Sequence, residues 1–106
     1  MAKYLIAGSY TAQGTKGLIA EGGSSRKAAI ESALKGVGGR LDSIYYAYGD
    51  VDVFAIIDVP DSASALALSL VVNASGAVQV RTTPLVSVEE VDAACKKTVP
   101  YRPAGG

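Results

Sequence analysis

Two carboxylates one residue apart stand in the stretch Gly49-Asp50-Val51-Asp52. Close carboxylates split their pKa values and can leave one protonated near neutrality, as a general acid–base pair requires. The same residue types suit a hairpin corner, where Asp side chains satisfy turn amides. Five tyrosines, Tyr4, Tyr10, Tyr45, Tyr46 and Tyr48, could line a pocket beneath a sheet and place a polar ligand by their hydroxyls. They suit cross-strand packing and interfaces equally well, and either use should bury at least one face of Tyr46 and Tyr48. Three arginines, Arg26, Arg40 and Arg81, could hold an organic anion. Gly22-Gly23-Ser24-Ser25-Arg26 leads into a helix N-terminus, where free amides favour negative charge, though it also reads as a glycine break followed by a cap. Neither this stretch nor Gly14-Thr-Lys-Gly17 is a Walker sequence. Arg81, among Val78, Val80 and Thr82, is expected to pair with Asp52 or Asp58. Asp52, Tyr45 and Arg81 thus form the candidate catalytic set, for proton transfer and substrate orientation. Tyr4, Tyr10, Arg26, Arg40 and Asp50 form the candidate ligand-binding set. Cys95 has no base beside it and reads as a buried structural thiol.

Composition removes several chemistries. The chain has no histidine, which excludes His general-base catalysis and His-ligated zinc or haem; no metal and no cofactor is expected. One cysteine permits no intrachain disulfide and fits a reducing compartment. Ten basic and ten acidic residues balance, so neither nucleic acid nor an acidic membrane is an expected partner. The apolar run at the N-terminus is too short for a signal peptide, and the longest one, residues 65–72, is far too short for a membrane span. A soluble, cytoplasmic protein is the expectation. The 106 residues suit one domain, residues 1–98, followed by a tail over 99–106; such a chain buries roughly 65% of its unfolded surface.

The elements follow from periodicity and punctuation. Residues 3–10 read as a first strand, and Thr11 caps a short helix over 12–20 that Gly14 and Gly17 weaken by about 1 kcal/mol each. A helix over 26–37, capped by Ser24 or Ser25, carries the stripe Ile30, Ala33, Leu34 and Val37. Gly38-Gly39 stops it. A β-hairpin follows, with strands over 40–48 and 52–59. Asp61 caps a helix over 62–73 that is apolar nearly all round and so expected to be buried on more than one side. Residues 77–86 form a fourth strand, placed at a sheet edge by Pro84. Ser87 and Glu90 make a capping box for a last helix over 88–97.

Strand, helix, strand, strand, helix, strand is the order of a split βαβ. Right-handed crossovers then give an α+β, ferredoxin-like βαββαβ sandwich: a four-stranded antiparallel sheet with both main helices on one face, plus an extra C-terminal helix. In the third strand Phe54 and Ile56 face one side and Val53, Ala55 and Ile57 the other, so both sides are apolar. A half-wet antiparallel sheet should alternate cleanly, and large exposed apolar patches are rare. The surplus face is therefore expected to pair with a second copy in a homodimer.

The strand over 3–10, Gly22-Gly23-x-x-Arg26, Gly38-Gly39-Arg40-Leu41, the Tyr-rich run into Gly49-Asp50-Val51-Asp52, and Val80-Arg81-Thr82-Thr83 together resemble the GYD domain family, over about residues 2–97. Gly49 and Asp52 match the family's hairpin signature, with Val51 where a tyrosine is usual. The resemblance implies a ferredoxin-like, dimeric α/β-barrel and no particular activity. A small-molecule-binding or otherwise non-catalytic homodimer is the expected function. A cofactor-independent isomerase or oxygenase acting on a small organic acid or aromatic is the alternative that fold analogy suggests.

Overall fold

The computed structural model describes residues 1–106. Its elements are β1 (Ala2–Tyr10), α1 (Ala12–Glu21), α2 (Gly23–Gly36), β2 (Arg40–Tyr46), β3 (Val53–Val59), α3 (Ser62–Ala74), β4 (Val78–Pro84) and α4 (Val88–Cys95). The four strands form one antiparallel sheet in the order β2-β3-β1-β4, an open α+β sheet of ferredoxin-like order. No helix is long and apolar enough to cross a membrane.

Register assigns the faces. Tyr4 pairs with Ile57, Ile6 with Ala55 and Gly8 with Val53, and these residues, with Val78 and Val80 of β4, face the helices. The core gathers Tyr4, Leu34, Ile57, Val59 and Ala65. The hydroxyls of Tyr4 and Ser62 lie 3.1 Å apart, so the one polar atom of that core tyrosine is satisfied. β2 carries a bulge between Leu41 and Ser43. The extra residue shifts the alternation, so Leu41, Ile44 and Tyr46 all share the helix face with Ile57, Ala55 and Val53.

Several expectations need correction. The hairpin is not tight: its strands end at Tyr46 and begin again at Val53. The Ala47 amide donates to Asp52 O at 2.7 Å and closes the base of a longer loop, and the Asp52 amide donates to Gly8 O at 2.9 Å and ties that loop to β1. α2 begins at Gly23, and neither Ser24 nor Ser25 caps it; its N-cap is Gly22, at φ 82°, without a side-chain cap bond. That positive φ, open to glycine, lets α1 turn directly into α2. α3 leaves Leu66, Leu70 and Val71 exposed, because it lies at the margin of the sheet against β4 and meets it with one side only. Cys95 is exposed, not buried, since α4 has nothing to pack on. Tyr48 is wholly exposed, against expectation, whereas Tyr46 keeps one side against the helices, its hydroxyl donating to Gly23 O.

Other local expectations hold. Thr11 and Asp61 cap α1 and α3, β4 is an edge strand, and both arms of the Ser87/Glu90 capping box are formed. α4 nevertheless buries no residue. The radius of gyration is 17.0 Å and the longest extent 56 Å, whereas a compact chain of this length has a radius near ~13 Å.

Gly14 and Gly17 differ in consequence. A Cβ on Gly14 would stand 1.8 Å from Ala77 O, whereas one on Gly17 would meet nothing within 4 Å. Gly14→Ala is therefore expected to destabilise the fold by about 2–4 kcal/mol. Gly17→Ala should stabilise it by up to about 1 kcal/mol. Urea unfolding of the two variants beside the parent measures both, and equal effects would place α1 away from Ala77.

Candidate functional site

α2 packs on β2 and α3 on β4, the two outer strands of the sheet. Between the two helices the central strands are left under-roofed, and a cleft of about 140 Å³ opens there. Its floor is Ile6, Ala55 and Ile57; its walls are Ala29, Ile30 and Ala33 from α2 and Leu68, Ser69 and Val72 from α3. The space exists because α2 turns the small side chains Ala29 and Ala33 toward it. A dry cavity of similar size holds benzene in another protein, so one aromatic ring or a short alkyl chain fits.

Two polar groups stand at one end, Arg26 and Tyr10. Both also line the shallower groove beyond, between α1 and α3. Arg26 comes from the first turns of α2, and its nearest carboxylate is Glu21, at 3.6 Å and largely exposed. Burial pushes the Tyr10 hydroxyl above its usual 10.0, with the nearby Tyr46 adding to the rise and Arg26 opposing it. Tyr10 is thus a neutral hydrogen-bonding group across the whole physiological range. The arrangement offers an apolar slot that ends in one cation and one hydroxyl, the chemistry of binding an apolar carboxylate rather than of bond breaking.

The other candidates lie elsewhere. Asp52 Oδ2 accepts the Tyr10 amide at 2.8 Å and so fixes the 47–52 loop to the end of β1. Tyr45 and Arg81 share one row of the opposite, open face, with Phe54 and Ala7 between them. Three strand spacings separate them, about 14 Å, so one chain does not assemble Asp52, Tyr45 and Arg81. Arg81 pairs with neither Asp52 nor Asp58: no salt bridge includes it. Asp50 and Arg81 do line a common hollow on the open face with Ala7, Ser9 and Gln79. Tyr4 is a core residue. Of the candidate binding set, only Tyr10 and Arg26 reach the cleft. Its walls, Ala29, Ala33 and Ser69, were not singled out by sequence; small residues on the sheet-facing side of two helices were the available signal. No group of three or more His, Cys, Asp or Glu side chains is arranged to hold a metal.

Arg40 serves a charge network at one end of the open face. Its Nη2 lies 3.2 Å from Asp58 Oδ2, and Lys3 Nζ lies 2.8 Å from the same oxygen. Lys3 also bonds Asp42, the bulge residue of β2. Asp58, only 3% exposed, is held below its usual 3.8 first by Lys3, with Arg40 assisting and burial opposing. The same bonds, Asp42 first, raise Lys3 above 10.5. A carboxylate with a lowered folded-state pKa contributes stability above its unfolded value and loses it as pH falls through the folded one. Asp58→Asn is therefore expected to be less stable than the parent at pH 7. It should also lose less stability than the parent between about pH 5 and about pH 2. Parallel pH profiles of the melting temperature would show that Asp58 is not paired.

The GYD domain family matches residues 4–95, a span that runs from the third residue of β1 through the end of α4 and holds the cleft and all of the charge network except Lys3. No curated protein and no solved structure matches the chain. On that match the chain belongs to the GYD domain family.

Proposed function

We propose that the protein is a non-catalytic homodimer that binds a small apolar organic anion in the cleft between α2 and α3. The observation that carries this reading is the pairing of an apolar slot of about 140 Å³ with a loosely engaged arginine at its end. The slot leaves apolar surface of the central strands under-covered, and a leucine at Ala33 would cover part of it. The dispersal of Asp52, Tyr45 and Arg81 supports a binding rather than a catalytic role. The homodimer rests on the open face, where Leu5, Ile56, Phe54 and Tyr45 form an apolar band that no helix of the same chain covers.

The test uses phenylacetate and octanoate beside their neutral amides, read by thermal shift and calorimetry. Both carboxylates should raise the melting temperature, more than the amides do. Arg26→Met should weaken carboxylate binding about tenfold and leave amide binding unchanged, as expected for one partly exposed charge-assisted contact. Ala33→Leu should abolish binding of all four while raising the melting temperature of the free protein. Binding that survives Ala33→Leu would place the ligand elsewhere. Sedimentation at micromolar concentration should give the mass of two chains; a monomer would remove the dimer from this reading.

A further inference from the structure

We infer that two copies stack open face on open face about a two-fold axis parallel to the strands, so that Arg81 of each copy lies on the partner's Tyr45. The inference rests on the homodimer proposed above and specifies its geometry. Stacked sheets lie about 10 Å apart with interdigitating side chains. A two-fold axis along the strands keeps each cross-strand row in place and reverses it left to right. β3 then lies over the partner's β1, and β2 over the partner's β4.

The main rows of the open face are complementary under this operation. Lys3 and Asp58 form one row, so each lysine faces the partner's Asp58. Leu5 and Ile56 form the next, and apolar meets apolar. Ala7 and Phe54 form the third, and each phenylalanine meets the smallest side chain of the face. Arg81 and Tyr45 end that same row at its two edges, and each guanidinium meets the partner's ring. An axis across the strands does worse at its two central settings. Set at the Ile56 row, it brings Asp58 onto the partner's Phe54; set between Ile56 and Phe54, it brings Asp58 to the position of the partner's Asp52. The first presses a carboxylate on the negative face of a ring, the second on another carboxylate.

The two residues are suited to this contact. Arg81 is exposed and has no ion partner, and Tyr45 is 72% exposed. A guanidinium is weakly hydrated and stacks on aromatic faces. Aligned sheets are rotated by about 30°, which displaces the edge strands by roughly 4 Å, less than the ~6.6 Å between successive same-face residues. An arginine side chain spans that offset.

A double-mutant cycle on the dimer tests the contact. Within one chain the two positions are about 14 Å apart, a distance at which effects add, so any coupling must arise between chains. Sedimentation of the parent, Arg81→Ala, Tyr45→Ala and the double variant gives the four dissociation constants. Where dilution does not separate the subunits, the concentration dependence of the unfolding midpoint gives them. Each single variant is expected to weaken the dimer roughly 5–30-fold, because the contact occurs twice. The double variant should be no more than about threefold weaker than the worse single one, and Tyr45→Phe should keep the parent affinity. Losses that multiply in the double variant of a dimeric protein overturn this geometry and leave the dimer standing. A monomeric parent overturns both.

Discussion

The register of β1 between β3 and β4 is the constraint on which the rest of the molecule depends. It sets Tyr4, Ile6 and Gly8 in line with Ile57, Ala55 and Val53 on one face, and Lys3, Leu5 and Ala7 in line with Asp58, Ile56 and Phe54 on the other. A slip of one residue would send Tyr4 out and bring Lys3 under the helices. Both faces are apolar in their middle, and the chain's helices pack on one of them alone. The cleft and the open face are therefore two results of one pairing. The first is what the helices do not quite fill, and the second is what they do not reach.

The incomplete roof has a topological cause. Each crossover seats its helix toward an outer strand: α2 against β2 on one side, α3 against β4 on the other. Only long side chains could close the gap over β1 and β3, and α2 offers Ala29 and Ala33 there. At the other end of the same helix face the core is filled, because Leu34 and Ala65 meet Tyr4, Ile57 and Val59. The molecule is thus firm at one end of the sheet and hollow at the other, and the hollow end is where Tyr10 and Arg26 stand. A binding slot beside a packed core can accept a ligand without reorganising the sheet that forms its floor.

Much of this was legible in the sequence. Capping chemistry is local, so Thr11, Asp61 and the Ser87/Glu90 box could be read from three or four residues. The apolar character of both strand faces was legible for the same reason, since alternation needs only one strand. Apart from the cap at Ser24 or Ser25, which the start of α2 at Gly23 pre-empts, what failed depended on contacts distant in the chain. Gly49 to Asp52 read as a hairpin corner, but the bond of the Asp52 amide to Gly8 O draws the chain into a longer loop over 47–52. Arg81 was expected beside Asp52 or Asp58, but Asp52 accepts the Tyr10 amide, and Lys3 and Arg40 flank Asp58 in the register and occupy it first. The apolar circumference of α3 promised burial on more than one side, and Cys95 of α4 read as a buried thiol; the position of each helix at or beyond the sheet margin denies both. The pocket needed the relative placement of two helices, which no periodicity contains.

Arg81 shows how the open face settles its charges. At the far end of that face two cations and two carboxylates, Lys3, Arg40, Asp42 and Asp58, close on one another, so that end can be covered without exporting charge. Arg81 has no such arrangement: Asp50 lines the same hollow, yet no ion pair joins them. In water an exposed guanidinium needs no partner. Under a second sheet it would lose that water, and an uncompensated buried charge is costly. The row that carries Arg81 ends, on the opposite edge, in an exposed tyrosine ring, and a two-fold axis along the strands is the operation that brings the two together. In the proposed dimer the group that compensates Arg81 would be aromatic and would come from the other copy, so the face would need no further acid to be covered.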